Sequence, residues 1–194
     1  IMRNLILVVY VLFTHTTFAQ EIKTIQTDIF KVRYSEIYQQ PLEVSYKVEC
    51  PIGKFSRKGM DFKKYDGVIT SDNGDYKDNV WDKGHIAPAA AFNCDETKLR
   101  NTFSYLNCAL QHQGLNRGPW KELERFERDL SKVYAFVLVE VVIEFEDTPE
   151  NWLPSGALVP IGFTKTIWCD GEQFVFYFPN KDVSGQDWST FKLN

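Results

Sequence analysis

Histidine and cysteine are both scarce in this chain of 194 residues, which contains three of the first and four of the second. None of the cysteines lies in a C-x-x-C pattern, and this spacing argues against a zinc site. Four cysteines allow three disulfide pairings, and the sequence leaves all three open. The set consists of Cys50, Cys94, Cys108 and Cys169, of which Cys108 is expected to be a small buried residue.

Long apolar runs are also missing, although residues 5–13 (LILVVYVLF) form a short one near the N-terminus. A transmembrane helix needs about 20 apolar residues, so this run is too short to span a bilayer. Arg3 precedes it, and Thr17 and Ala19 supply the small residues of a cleavage site. The pattern predicts a secretory signal peptide over residues 1–19, and hence a secreted or periplasmic protein with no membrane contact after cleavage. A short membrane anchor is the alternative.

Internal repeats, low-complexity tracts and Gly/Ser-rich linkers are absent from the sequence. A hydrophobic content of 44% argues against a disordered chain and against a multi-span membrane protein. The length then predicts one domain over residues 20–194. Loss of residues 1–19 would remove His15, so His85 and His112 remain as the candidates for a histidine general base.

Positive charge is not in excess, since the formal net charge is −4 at pH 7. An acidic total argues mildly against a general nucleic-acid binder. The distribution differs from the total: residues 54–64 contain five cations and one anion, whereas residues 140–194 contain nine acids and three lysines. One face of the protein is therefore predicted to be basic, and it is the local field that guides a polyanion.

The secondary-structure pattern is mixed. Alternation, or enrichment in apolar, β-branched or aromatic residues, predicts strands over residues 42–48, 103–110, 133–145, 158–160, 164–168 and 173–178. A short helix is predicted over residues 95–103, and Gly118 and Pro119 open the main helix, whose apolar stripe starts at Trp120. This order favours an α+β fold with a largely antiparallel sheet.

His85 is the first candidate for chemistry. Histidine is the most common general base near neutral pH, because its unperturbed pKa is about 6.5. Gly84 precedes it, and Asp82 and Lys83 place both signs of charge beside it. The alternative is a histidine at a strand end that hydrogen-bonds locally.

A second group of polar residues follows at Asn107, Gln111, Asn116 and Glu124. Side-chain amide oxygens are hard donors that suit Mg²⁺ or Ca²⁺. Glu124 lies about two helical turns after Asn116, so both would share one helix face and the carboxylate would reach a metal-bound water. The alternatives are that Asn116 caps the main helix and that Glu124 is a surface acid paired with Arg128.

Together these residues resemble the DNA/RNA non-specific endonucleases, the ββα-metal (His-Me finger) nucleases that include the Serratia nuclease and endonuclease G. The resemblance rests on residues 82–88 (DKGHIAP), on Asn107 and Gln111, and on residues 116–124 (NRGPWKELE), and it spans roughly residues 57–180. It implies a ββα-metal fold with one main helix after the metal-binding asparagine.

The resemblance also implies a mechanism. His85 would be the general base that activates water for in-line attack on a phosphodiester of DNA or RNA, without sequence specificity. Asn116 would be the direct protein ligand of one Mg²⁺ (or Mn²⁺) ion per site, which stabilises the pentacovalent phosphate and the leaving 3′ oxygen. Glu124 would orient metal-bound water. Asn107 would be a support residue of the active site. Arg57 and Arg128 would be the arginines that contact phosphate.

Lys83 departs from the family pattern, in which arginine is usual at this position. Lysine keeps the charge but loses the bidentate fork, which predicts lower activity or altered metal dependence. The family also usually runs on through a terminal helix, which raises the alternative that residues 20–194 lack the C-terminal end of the domain. Two other functions remain open: an inactive relative that only binds nucleic acid or a protein partner, and a secreted structural or carbohydrate-binding domain.

Overall fold

A six-stranded antiparallel sheet forms the body of the protein in this computed structural model, which describes residues 22–50 and 52–193. The predicted signal peptide, residues 1–19, lies outside the described residues. The strand order is β1-β2-β3-β6-β7-β8. The strands are β1 Ile22–Gln26, β2 Phe30–Ser35, β3 Gln40–Lys47, β6 Val137–Glu144, β7 Gly162–Cys169 and β8 Glu172–Pro179, with a separate pair formed by β4 Trp81–His85 and β5 Cys108–His112.

Alternating burial explains why these segments form the sheet. In β6 the residues Val137, Val139, Val141 and Ile143 point into the core, while the residues between them are partly or fully exposed. The strands predicted over 164–168 and 173–178 fall within β7 and β8, and the one predicted over 42–48 overlaps β3, which ends one residue earlier at Lys47. The prediction over 158–160 is wrong, because only an isolated bridge from Leu158 to Trp152 forms there.

Helical structure begins earlier than the sequence predicts. The chain runs from α2 Gln113–Leu115 through a π-helical turn, Asn116–Trp120, into α3 Lys121–Val133. Gly118 supplies the kink between them, with φ −105° and ψ −118°. Because α3 continues through Val133, β6 starts only at Val137 instead of at residue 133.

The remaining helical segments are short. Asp95 caps α1 Glu96–Asn101 by accepting hydrogen bonds from the backbone N–H groups of Thr97 and Lys98. The strand predicted over 103–110 is a 3₁₀ turn, Tyr105–Asn107, followed by β5. Among the described residues, no helix is both long and apolar enough to cross a bilayer.

Helix α3 packs against the inner face of the sheet. Trp120 and Leu123 are fully buried, and the Trp120 ring lies 5.4 Å from that of Phe163 and 5.6 Å from that of Phe178. This side of the sheet forms the main hydrophobic core. The apolar stripe that opens the predicted main helix therefore faces the core.

A buried ion pair also joins α3 to the sheet. Lys165 of β7 and Glu127 of α3 are both fully buried, and Lys165 Nζ lies 2.8 Å from Glu127 Oε1. The Tyr46 hydroxyl of β3 donates to Glu127 Oε2 at 2.7 Å, and the Lys165 ammonium lies 3.8 Å from the centre of the Trp120 ring. Each charge thus has a partner, which is the condition under which a buried pair is tolerated.

The cysteines divide into a bonded and a free pair. Cys50 and Cys94 form a disulfide, whereas Cys108 and Cys169 are free and buried. The expectation that Cys108 is buried is confirmed. The disulfide ties the chain just after β3 to the chain just before α1.

Removing one charge of the buried pair is expected to be costly. Lys165→Met leaves Glu127 buried without its counter-ion and should lower the free energy of unfolding by about 3–5 kcal/mol. The double variant Lys165→Met/Glu127→Gln, which keeps an acceptor for Tyr46, should recover most of that loss. Urea denaturation of Lys165→Met, Glu127→Gln and the double variant measures the coupling energy between the two side chains. Losses of unfolding free energy that simply add in the double variant would contradict this coupling.

Candidate active site

One cleft of about 710 Å³ gathers six of the eight residues that the sequence singles out for the site. Strand β4 and the segment 88–93 form one wall, the Asn116–Trp120 turn and α3 form the other, and the basic segment 54–64 contributes a rim. The six residues are Arg57, Lys83, His85, Asn116, Glu124 and Arg128. The other two, Asn107 and Gln111, do not line it.

His85 ends β4, where it pairs with Cys108 in the antiparallel register. Its ring packs against two phenylalanine rings that also contact each other, 4.5 Å from Phe62 and 4.7 Å from Phe103. Burial, with a smaller effect of the Arg57 charge, lowers the pKa of His85 to about 3. The imidazole is therefore neutral near pH 7, and to hold a proton in this pocket it would need negative charge nearby. Its Nε2 has no hydrogen-bond partner among the described residues, which argues against a purely local role.

Asn116 has helical dihedrals, φ −59° and ψ −43°, and its amide nitrogen donates to Asp82 Oδ2 at 2.9 Å. The alternative that Asn116 caps the helix is therefore wrong, because a capping residue has extended dihedrals and an accepting oxygen. The hydrogen bond to Asp82 orients the amide and leaves Oδ1 as a hard oxygen donor at the cleft.

Asp82 is a site residue to which sequence reasoning gave no role of its own. The Arg117 guanidinium donates two hydrogen bonds to it, from Nε at 2.8 Å and from Nη2 at 2.6 Å. Although partial burial opposes the shift, Arg117 and Asn116 hold the pKa of Asp82 below its usual value. Asp82 stays ionised and links β4 to the start of the helix. The signal that could have identified Asp82 was its place at the start of residues 82–88, the first segment that carries the family resemblance.

Asn107 is fully buried and acts behind the cleft. Its Oδ1 accepts from the Ala87 N–H at 2.7 Å, and its Nδ2 donates to the carbonyls of Ala87 and Thr102 at 2.8 and 3.0 Å. The Ile86 N–H also donates to the Asn107 carbonyl, at 3.0 Å. These bonds fix the backbone just after His85, which agrees with a supporting position.

Glu124 lies on the cleft side of α3. Burial raises the pKa of Glu124 to about 7, an effect that Lys165 opposes and Glu127 reinforces. Arg128 donates to the backbone carbonyl of Glu124 at 2.8 Å. The alternative of a surface ion pair between the two side chains is wrong, because no such pair forms between them.

Lys83 lines the cleft but its ammonium group is engaged elsewhere. Lys83 Nζ lies 2.6 Å from Asp61 Oδ1 and also donates to Asn73 Oδ1. The bond from Lys83 is the main reason why the pKa of Asp61 is lowered. Lys83 therefore fastens the basic segment 54–64 to β4, beside the ring of Phe62.

Gln111 is buried away from the cleft, and neither atom of its amide has a hydrogen-bond partner among the described residues. It does explain why residue 84 is a glycine. A Cβ placed on Gly84 would lie 2.7 Å from the Gln111 Cβ and 2.5 Å from its Oε1. The expectation that groups Gln111 with the metal-binding oxygens finds no support in this placement.

Few charged ligands are available for a metal ion. Within the residues that the structure describes, no group of three or more His, Cys, Asp and Glu side chains is placed to hold one. A cation here would depend on Asn116 Oδ1, with Glu124 nearby and water at its other positions. Mg²⁺ tolerates such a site, because it usually keeps several waters.

Comparisons with known proteins agree on one family. The family model for the DNA/RNA non-specific endonucleases matches residues 13–194. Human mitochondrial endonuclease G is 33% identical over 90 residues, which are 45% of this chain and 30% of that protein. The mitochondrial nuclease EXOG of Danio rerio is 29% identical over 149 residues, 74% of this chain and 38% of that protein.

The fold also matches a solved structure. A chain in the crystal structure of the EndoG/EndoGI complex superposes with a TM-score of 0.78 and 22% identity, covering 88% of this chain and 80% of that chain. The predicted ββα-metal fold is thereby confirmed. The chain spans 30% of the length of human endonuclease G and 38% of that of the Danio rerio nuclease.

The raised pKa of Glu124 predicts how pH affects the metal-free protein. The folded state holds this proton more tightly than the unfolded chain, so the contribution to stability is complete below about pH 4.5 and is lost as pH rises through about 7. Relative to the wild type, Glu124→Gln should therefore gain unfolding free energy between these pH values. Chemical denaturation in EDTA measures this difference. Glu122→Gln on the same helix is the control, and an equal pH profile in both variants would contradict the assignment.

Replacing Lys83 is expected to loosen the segment 54–64, which forms the rim of the cleft and is held to β4 through Asp61. Lys83→Met frees Asp61 and should speed amide hydrogen exchange over residues 57–64 by up to about fivefold, because partly exposed pairs contribute about 1 kcal/mol or less. Asp61→Asn should act in the same direction. Lys64→Met, which removes the exposed pair with Asp72, is the matched control. Unchanged exchange in Lys83→Met would show that the pair does not hold the segment.

Proposed function

Because the chain belongs to the DNA/RNA non-specific endonuclease family, we propose that it is an exported, Mg²⁺-dependent endonuclease that hydrolyses phosphodiester bonds of DNA and RNA. One observation carries this proposal: a neutral histidine, an oriented asparagine oxygen and a half-buried carboxylate line the same cleft. The residues are His85, Asn116 and Glu124. They lie on two elements, β4 and the α2–α3 segment, that Asp82 joins.

His85 acts as the general base. A water molecule between its ring and a bound phosphodiester loses a proton to the imidazole while its oxygen attacks phosphorus in line. The low pKa of His85 ensures that the ring is unprotonated before the reaction. Phe62 and Phe103 hold the ring in place, so the proton acceptor is preorganised.

Asn116 would hold one Mg²⁺ or Mn²⁺ ion through Oδ1. When bound, such an ion supplies positive charge that stabilises the phosphorane and the leaving 3′ oxygen. Asp82 keeps the Asn116 oxygen turned to the cleft. Glu124 accepts hydrogen bonds from water on the same side, which suits a carboxylate that is half-buried near this oxygen.

Arg57 and Arg128 provide the charge that holds the substrate. Both line the cleft beside the three reacting groups. Guanidinium groups bind phosphate oxygens in bidentate fashion, and contacts to phosphate carry no base identity. A site of this kind acts on DNA and RNA alike without sequence specificity.

Export is supported by two features. Residues 1–19 have the pattern of a secretory signal peptide. Cys50 and Cys94 form a disulfide, a bond that persists mainly in oxidising compartments. A secreted or periplasmic location follows, with nucleic acid outside the cytoplasm as the substrate.

The activity is testable on plasmid DNA and on RNA. The protein without residues 1–19 should degrade both in Mg²⁺ or Mn²⁺ and neither in EDTA. His85→Ala and Asn116→Ala should each lower the rate by about a hundredfold or more, since a positioned base contributes about 10²–10⁴. Binding of both nucleic acids without cleavage would instead support the inactive relative. Cleavage that persists in EDTA or in His85→Ala would contradict the mechanism.

The cleft arginines should affect substrate binding more than the chemical step. Arg57→Ala removes a charge-assisted contact and should raise KM for short oligonucleotides roughly tenfold. Arg33→Ala is the matched control, because Arg33 lies on β2 in an exposed pair with Glu43 and does not line the cleft. Steady-state kinetics separate KM from kcat, and equal effects of the two variants would rule out a specific role for Arg57.

A further inference from the structure

An aromatic side chain without an assigned role lines the cleft at Phe55. It is partly buried, and the described residues place no other aromatic ring against it, whereas most phenylalanines of the protein pack in aromatic pairs or in the core. The one neighbour of the ring with a distinct interaction is Lys54, whose Nζ lies 5.3 Å from the ring centre. Phe55 therefore presents ring surface to the cleft, with the Lys54 ammonium over the ring.

The backbone around Phe55 is held firmly. The N–H groups of Lys54 and Phe55 both donate to the Asn93 carbonyl, at 3.0 and 2.8 Å. The disulfide between Cys50 and Cys94 ties the same two segments together a few residues away. A backbone held in this way needs little ordering when a ligand stacks on the ring, so this wall is preorganised for binding.

The cleft has a mixed lining. It includes apolar groups, among them Pro88 and Ala90 in addition to Phe55, and polar and charged groups, among them Asn116 and Glu124. Arg57 follows Phe55 by two residues and also lines the cleft. A cleft that offers an aromatic ring together with cationic and polar groups fits one nucleotide, with its base on the ring and its phosphate on the charged groups.

We propose that Phe55 is a stacking platform for one unpaired nucleobase beside the scissile phosphate, so that the cleft favours single-stranded over double-stranded substrate. This inference rests on the proposed nuclease function. The faces of a base in a duplex are covered by its neighbours, and exposing one costs unstacking energy. A single strand offers its base faces freely, and stacking on an aromatic ring tolerates any base.

Cleavage of matched substrates tests the proposal. The substrates are a single-stranded oligonucleotide and a blunt duplex of the same sequence, and kcat/KM is measured on each. Phe55→Ala and Phe55→Leu should lower kcat/KM on the single strand by about five- to a hundredfold, the range that base stacking commonly contributes, and change the duplex value by less than about twofold. Phe55→Tyr keeps the ring and should retain the preference.

Phe136→Ala is the matched control. Phe136 is also exposed and also has a lysine over its ring, with Lys47 Nζ at 5.0 Å, but it does not line the cleft. Phe136→Ala should leave kcat/KM unchanged on both the single strand and the duplex. Equal losses of Phe55→Ala on single and double strands, or no loss in Phe55→Leu, would overturn the proposal, because the effect would then not depend on a ring that meets an unpaired base.

A binding measurement separates this inference from the nuclease proposal. In the His85→Ala background with Mg²⁺, fluorescence anisotropy gives Kd for the same oligonucleotides with and without Phe55→Ala. Weaker binding of the single strand alone supports stacking even if the wild type cleaves neither substrate, a result that would contradict only the nuclease function. Unchanged binding of the single strand overturns stacking whether or not cleavage occurs.

Discussion

The buried ion pair between Lys165 and Glu127 is the interaction on which the geometry of the site depends. Burying two charges in the core is costly. They are tolerated because the two charges pair and each has a second contact: Glu127 accepts from the Tyr46 hydroxyl, and Lys165 lies over the Trp120 ring. The pair fixes one turn of α3 against the sheet. Glu124 lies one turn earlier on the same helix, so its place in the cleft is set by this contact.

A second constraint, the carboxylate of Asp82, joins the helix to the strand that carries His85. It binds the side chains of Asn116 and Arg117 at once and keeps the asparagine oxygen turned to the cleft. The aromatic surroundings of His85 then supply a neutral ring, and the burial of Glu124 supplies a carboxylate that exchanges a proton near neutral pH. Among the described residues the resulting site offers few charged ligands for a metal ion, although arginine and lysine side chains line the same cleft.

The sequence predicted the class of fold and six of the residues that line the cleft, because both depend on local patterns: strand alternation, and two motifs in a fixed order. It failed where the answer depends on contacts distant in sequence. The alternative that Asn116 caps the helix is wrong, and Asp82, 34 residues away, binds its amide instead. The burial of Lys165 is not predictable from the sequence, because an isolated lysine in a strand is expected to be exposed and its partner Glu127 belongs to another element. The disulfide pairing and the engagement of Lys83 by Asp61 are likewise properties of the folded chain.

The most direct measurement of the central claim is the position of a bound Mn²⁺ ion, read from the anomalous diffraction of crystals soaked in manganese. One site per chain, coordinated by Asn116 Oδ1 within the cleft and absent from crystals of Asn116→Ala, is the predicted result. A manganese site that persists in Asn116→Ala, or that lies outside the cleft lined by His85 and Glu124, would contradict the account.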